Sequence, residues 1–476
     1  MYGRHVMSTT PHRPAPTTTT RLLAALSLVA PALGALAWAP GCSLVVDFTE
    51  CEVNADCERL RDVCVEGLCQ SPDTVEVTDF IVEDTKWTKD KVYVLKNVIL
   101  VIQPATLTIE PGTLILGERD SALVTQAGAK LIAVGTREEP IVMTSAKPEG
   151  QRRAGDWGGL ALVGKASINR NPMLFNIVTG EEEIVLGGDD DEWDCGKLKY
   201  VRTEFGGGLI EGEKALNGLT LAACGSQTEV DYVQAHFGDD DGIEIFGGTV
   251  NVTHAVSSRA QGDAFDLDVG WRGKGQFWIA QLDVNGAEAI EIENRGEEPT
   301  ATPQTDPQIY NYTVVGAEGD EDSQRGMIFK AGGLARLSHG IVMGVGDVGA
   351  FIEGTESGQH TAGGRVLVEH TLFYDVGTEQ DAPLFTADED AGAVVDAVSV
   401  EQNFTSAERG NTFGLDPGFS APYDLGAPGL VPSAEHTTSV DIPRPPEGFD
   451  TTAVYLGALS PGNPAWTEGW TAYPKF

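Results

Sequence analysis

Residues 236–248 read HFGDDDGIEIFGG, residues 258–270 read SRAQGDAFDLDVG and residues 283–296 read DVNGAEAIEIENRG. The windows begin 22 and 25 residues apart and align without internal gaps. His236, Ser258 and Asp283 each stand seven residues before an apolar residue: Ile243, Phe265 and Ile290. The triplets Ile243-Glu244-Ile245, Phe265-Asp266-Leu267 and Ile290-Glu291-Ile292 then superpose, and Met327-Ile-Phe329 and Ala350-Phe-Ile352 repeat the alternation at a 23-residue step. Upstream, YVRTEFGG from Tyr200 matches YVQAHFGD from Tyr232. Alternation with period 2, punctuated by Gly and Asp, is a strand pattern. Twenty-odd residues of strand and turn cannot bury their own apolar face. Stacking such units builds one continuous core, which is the coil of a parallel β-helix.

The same texture begins near Asp79, with VYVLKNVILVI, ATLTIEPGTLILG and WGGLALVG, and no long 3.6-period segment interrupts it. The β-helix is expected over residues 79–416. WTKDKVYVLKNVILVIQ, residues 87–103, is expected to cap one end. The Pro-rich segment 417–476 keeps Trp466 and Trp470, so it is expected to pack on the β-helix, over its other end or along its flank.

The 476 residues carry 71 Asp and Glu against 32 Lys and Arg, a formal charge of −39. Such a surface repels phosphate backbones and anionic lipids, so nucleic acid is excluded as a partner. Arg4, Arg13 and Arg21 precede the apolar run LLAALSLVAPALGALAW at 22–38, and small residues lead to Cys42. Residues 1–41 read as a signal peptide and Cys42 as a lipidation site, which gives an exported lipoprotein of the cell envelope, the outer membrane expected, held to the membrane only through that anchor. An ordinary secreted protein is the other reading. Cys51, Cys57, Cys64 and Cys69 fall in a mini-module within 42–78, too small for a core and expected to be held by disulfides whose pairing the sequence leaves open. Cys195 and Cys224 are expected to pair with each other.

TLTIEPGTLILG (106–117), GAKLIAVGTREEPIVMTS (128–145) and GDWGGLALVGKASIN (155–169) resemble the coils of pectate-lyase-like right-handed β-helices. DDGIEIFGGTVNVTH (240–254), DLDVGWRGKGQF (266–277) and YLGAL with WTEGWTAYP (455–474) are similar, more narrowly, to a group of secreted bacterial lipoproteins with no established activity. The resemblance implies an all-β fold, a single-stranded right-handed parallel β-helix or solenoid, behind a small disulfide-rich N-terminal module. The broader superfamily holds polysaccharide lyases, hydrolases, esterases and non-catalytic adhesins, so fold does not fix function.

Stacking makes the acidic residues a set. Ile243 and Ile245 face inward, so Glu244 and Phe246 face outward, as do Asp266 and Asp268, and Glu291 and Glu293. Glu244, Asp266 and Glu291 form one column. Phe246, Asp268 and Glu293 form the next, which Lys330 would continue. Asp241, Asp263 and Glu288 form a third at the turn, with Asp239 and Asp240 beside it. Two unit charges ~4.8 Å apart repel by ~0.9 kcal/mol in water and ~3.5 kcal/mol at an effective dielectric of 20. In water that cost is tolerable. Under cover, the carboxylates must share protons, pair with cations or bind a metal. Asp239, Asp240, Asp241, Asp263 and Glu288 are the candidate ligands for Ca²⁺, the cofactor such a set suits. Glu244, Phe246, Asp266, Asp268, Glu291, Glu293 and Trp271 are the candidate binding residues, facing a polysaccharide or another envelope component. The alternative is a polysaccharide lyase or glycoside hydrolase using Asp263, Asp266 and Asp268 with Lys274 or Arg272 as base. His236 is expected beside Ser258 and over Glu204, an arrangement set by the repeat.

Overall fold

An apolar stripe on every second residue of a short strand needs a second strand above it and one below. The computed structural model meets that need by stacking parallel coils. It describes residues 63–65, 68–70, 72–170, 172–179, 182–210, 214–318, 324–377, 384–437 and 442–475. The chain divides into Met1–Asp47 and Phe48–Phe476, and every described residue belongs to the second unit. The signal-peptide and Cys42 expectations, with Cys51 and Cys57, lie outside the described residues. Val63–Val65 and Leu68–Gln70 pair antiparallel, with Cys64 opposite Cys69, and Cys69 is disulfide-bonded.

Ten parallel strands, from Val98–Val101 to Phe385–Ala387, form one sheet. Its middle is Leu219–Ala222, Ile243–Phe246, Phe265–Asp268, Ile290–Glu293 and Ile328–Lys330, each paired in parallel with the next. The second sheet has seventeen strands. Its long members, Gly196–Glu204, Glu229–His236, Asn251–Ser258, Lys274–Gln281 and Gln308–Val315, also stack in parallel. Each long strand bends at one residue of positive φ: Tyr200 (50°), Tyr232 (56°), His254 (49°), Phe277 (62°) and Asn311 (52°). The ladder skips that residue, so Asp231 pairs with Thr253 and Val233 with Ala255. A coil is therefore a strand of the first sheet followed by a bent strand of the second. All-β composition, long sheets of mostly parallel strands and the ~22-residue repeat fit a right-handed parallel β-helix.

The inward residues make one core. Ile243, Ile245, Phe265, Leu267, Ile290, Ile292 and Phe329 are all buried within it. The Gly-Gly that ends the opening stretch turns the chain from the first sheet to the second: Gly247 and Gly248 have φ of 61° and 79°, and a Cβ on Gly248 would lie 2.3 Å from the Cys224 carbonyl oxygen. Cys195 and Cys224 form the expected disulfide.

The N-terminal end differs from expectation. Residues 87–103 are not a cap: Lys91–Leu95 lies between Asp73–Val77 and Leu114–Gly117 and pairs with both. At the far end, helices close the core. Thr355–Ala362, Glu389–Gly392 and Ala397–Thr405 gather there, and Asp388 and Asp396 cap the latter two through the Ala391 and Ser399 N–H groups. Phe404 stacks on Phe385 at 4.7 Å. The C-terminal segment lies along the flank of the seventeen-stranded sheet. Arg202 donates to the Trp470 carbonyl at 2.8 Å, and Gln234 exchanges bonds of 2.8 and 3.0 Å with Ala472.

Candidate functional site: an acidic face on the ten-stranded sheet

The outward column of the ten-stranded sheet changes character twice. It runs Leu100, Val124, Ala161 and Thr220, then Glu244, Asp266 and Glu291, then Ile328 and Phe351. Over the first part sit Ile168, Ile184, Leu186, Ile210 and Leu216, which form an apolar layer with Val124, Ala161, Val163 and Ala222. The acidic residues begin where that layer ends. In the neighbouring column Phe246 pairs with Asp268 and Glu293 with Lys330. Phe246 packs, partly buried, against the apolar layer.

The turn column is tied together by backbone bonds. Asp241 Oδ1 accepts the Asp263 N–H at 2.7 Å, and Asp263 Oδ1 accepts the Glu288 N–H at 2.8 Å. Side-chain alternation then divides the carboxylates into two trios. Asp241, Glu244 and Asp266 bring one oxygen each within 4.8 Å of one another, and Asp263, Glu288 and Glu291 do the same. The expected metal set is thus redistributed. Asp241 joins strand residues, Asp263 and Glu288 join Glu291, and Asp239 and Asp240 belong to neither trio. Asp239 is exposed on the outside of the turn.

The trios differ in their counter-charges. Lys330 Nζ lies 2.6 Å from Glu291 and 3.2 Å from Glu293, and Arg325 pairs with Glu288 at 3.0 Å. Among the described residues no cationic side chain pairs with Asp241, Glu244, Asp266 or Asp268. Glu244 accepts a bond from the Asn217 amide. Asp266 Oδ1 and Asp268 Oδ1 are buried without a hydrogen-bond partner. Burial first, then neighbouring carboxylates, hold Glu244, Asp266 and Asp268 well above the ordinary carboxylate range. Burial and then Asp240 push Asp241 to about 7, and burial and then Asp241 push Asp263 to about 10. Buried carboxylates without counter-charges keep their protons or take a cation.

A family model for the pectate-lyase-like beta helix domain matches residues 79–421. The chain belongs to that family. No curated protein and no solved structure matches it. Membership in the pectate-lyase-like β-helix family supports a polysaccharide-related protein at most, and names no activity.

Other expected residues of this pectate-lyase-like β-helix protein lie away from the patch. Trp271 is fully buried, stacked on Trp278 at 6.0 Å, with Nε1 donating to the Val250 carbonyl at 3.0 Å. It is a core residue because the turn at Gly270 directs it inward, and it presents nothing to a ligand. Lys274 begins a strand of the other sheet, its ammonium 5.3 Å from the centre of the Phe449 ring. Arg272 pairs with Asp191 at 2.6 Å. Neither can serve the acidic patch as a base, because both follow the turn into the second sheet. His236 does stack between Glu204 and Ser258, and its Nδ1 is 2.8 Å from Ser258 Oγ. Glu204 is engaged by Arg202 at 3.0 Å, Ser258 is buried, and burial pushes His236 down to about 4. That row is structural. Asn217 was missed by sequence reasoning. Its sequence signal is the Asn217-Gly218 turn pair, which marks a bend but not a contact with Glu244.

Proposed function

We propose an exported, lipid-anchored cell-envelope protein with a binding or structural role toward polysaccharide or another envelope component, in which the Asp241–Glu244–Asp266 trio binds Ca²⁺. One observation carries the ion: Asp266 Oδ1 and Asp268 Oδ1 are buried without hydrogen-bond partners beside that trio. An all-oxygen donor set suits a hard cation, and Ca²⁺ accepts a less regular set of carboxylate oxygens than Mg²⁺ does. The export and anchor rest on the leader-like residues 1–41 and on Cys42. Thermal unfolding of the purified chain in Ca²⁺ and in EDTA tests the ion: a site present only in the folded state adds about 2.7 kcal/mol of stability at a hundred times Kd and so raises the midpoint. Identical midpoints in both buffers would remove it.

A second reading is favoured by the close pair Asp241 and Asp263, tied by the Asp263 N–H to Asp241 Oδ1 bond of 2.7 Å and both held above the ordinary carboxylate range by burial and by neighbouring carboxylates. Neighbouring carboxyls of which burial keeps some protonated are the equipment of acid–base cleavage of a glycosidic bond. In that reading the same face is a polysaccharide-active enzyme, a lyase or glycoside hydrolase. Reducing-sugar and unsaturated-product assays over a polysaccharide panel test it, and Asp263→Asn, Asp266→Asn and Asp268→Asn must each abolish any turnover found.

A further inference from the structure

Between the bent strands and the C-terminal segment lies a cleft of about 520 Å³. It stands on the seventeen-stranded sheet, not on the acidic face. One wall is the column of left-handed residues. Tyr232, His254 and Phe277 line the cleft and stack at centroid distances of 4.1 and 4.8 Å, and Tyr200 continues the stack beyond the cleft at 4.4 Å from Tyr232. Rings stacked face to face turn their edges outward. The opposite wall is Phe449, Tyr455 and Trp466 of the C-terminal segment. Trp466 meets His254 edge to face at 5.0 Å and 74°.

Polar groups are set among these rings. Asp231 Oδ1 accepts bonds from His254 Nδ1 at 2.8 Å and Thr253 Oγ1 at 2.9 Å, while its Oδ2 lies 3.0 Å from Lys199 Nζ. The carboxylate is thereby filled and fixes the imidazole. With Nδ1 turned inward to Asp231, His254 presents Nε2 outward as a polar edge, and Nε2 has no partner among the described residues. The Tyr455 hydroxyl likewise has none among them. The exposed Asp450 carboxylate stands at the rim.

The volume falls in the range of small-ligand clefts, ~300–1,000 Å³. Carboxylates in the lining disfavour anions, and the polar groups set among the rings disfavour a lipid chain. What remains is a molecule with apolar C–H surfaces and a hydroxyl rim. We propose that this cleft is a second, metal-independent site that binds a sugar residue of a glycan. The rings of the opposite wall, Trp466 and Tyr455, take the C–H surfaces, and His254 Nε2, Tyr455 Oη and Asp450 take the hydroxyls. The inference does not depend on the ion site.

Titration of the intact chain with cello-, xylo-, chito- and galacto-oligosaccharides, read by tryptophan fluorescence and calorimetry, tests it. One class should bind. Trp466→Ala should weaken that binding about tenfold and Tyr455→Phe a few-fold. EDTA should leave it unchanged. Should Trp466→Ala lose its cooperative melt, Trp466→Phe and Tyr455→Phe decide. No binding by any of the four classes overturns the proposal. So does unchanged affinity in the Trp466 and Tyr455 variants. Binding lost in EDTA while those variants bind normally would move the glycan to the acidic face and overturn this site.

Discussion

Asp241 Oδ1 holds the backbone N–H of Asp263, one coil further on, at 2.7 Å. The bond fixes two like-charged residues one above the other, and Asp263 repeats it with Glu288 at 2.8 Å. Bonds to backbone N–H groups partly offset the repulsion. They also leave the outer oxygens of the carboxylates converging on the strand residues Glu244, Asp266 and Glu291.

That convergence gives the ion-free chain a pH dependence of definite sign. The folded-state values of Asp241, about 7, and Asp263, about 10, lie above the ordinary carboxylate range. Their contribution is therefore complete below that range and is lost as pH rises through about 7 and then about 10. In EDTA the melting temperature should be higher at about pH 5 than at about pH 8. Asp241→Asn, which keeps an acceptor for Asp263 N–H, should flatten the neutral limb. A melting temperature that rises over that interval in EDTA would contradict the burial of these groups.

Lys330 neutralises one side of the face. Its contacts of 2.6 Å to Glu291 and 3.2 Å to Glu293 keep Glu291 in check. Lys330→Gln should cost about 1–3 kcal/mol without ion, because it strands a buried carboxylate. Ca²⁺ should restore more stability to this variant than to the parent, since Glu291 of the second trio then lacks its counter-charge, Arg325 remaining on Glu288. Paired melts with and without Ca²⁺ measure both effects.

Trp271 and Trp278, stacked at 6.0 Å, belong to the core. Trp271→Ala should cost about 3–5 kcal/mol by opening a cavity. Denaturant midpoints read that loss, and the shift caused by Ca²⁺ should be the same size as in the parent. A lost ion response with intact stability would assign Trp271 to the site after all.

Asn311 binds the C-terminal segment to the flank. It is fully buried, and its Nδ2 donates to the Ala453 and Tyr455 carbonyls at 3.2 and 2.8 Å. Asn311→Ala should cost about 1–3 kcal/mol and release the segment locally. Limited proteolysis near residues 450–455 should be faster than in the parent while the β-helix stays intact. Equal cleavage rates would show that other contacts suffice.

The sequence by itself determined the coil. Residues two apart share a face and units of nearly constant length return to the same point, so the pairing of Glu244 with Asp266, of Asp266 with Glu291 and of Glu293 with Lys330 could be read from spacing alone. The Cys195–Cys224 bond was legible from the cysteine count of an exported chain, since the neighbouring four fall together in the mini-module. Tertiary structure decided the rest, because burial and counter-charge depend on segments distant in the chain. Asn217 arrives from a loop between coils to meet Glu244, and the layer that ends at Phe246 is built from residues near 168, 184 and 210. A turn at Gly270 sends Trp271 inward and carries Lys274 to another sheet, while distant aromatics close a cleft over His254. Local periodicity fixes which side chains are neighbours; only the folded chain fixes how much water stands over them, and for a carboxylate that decides its charge.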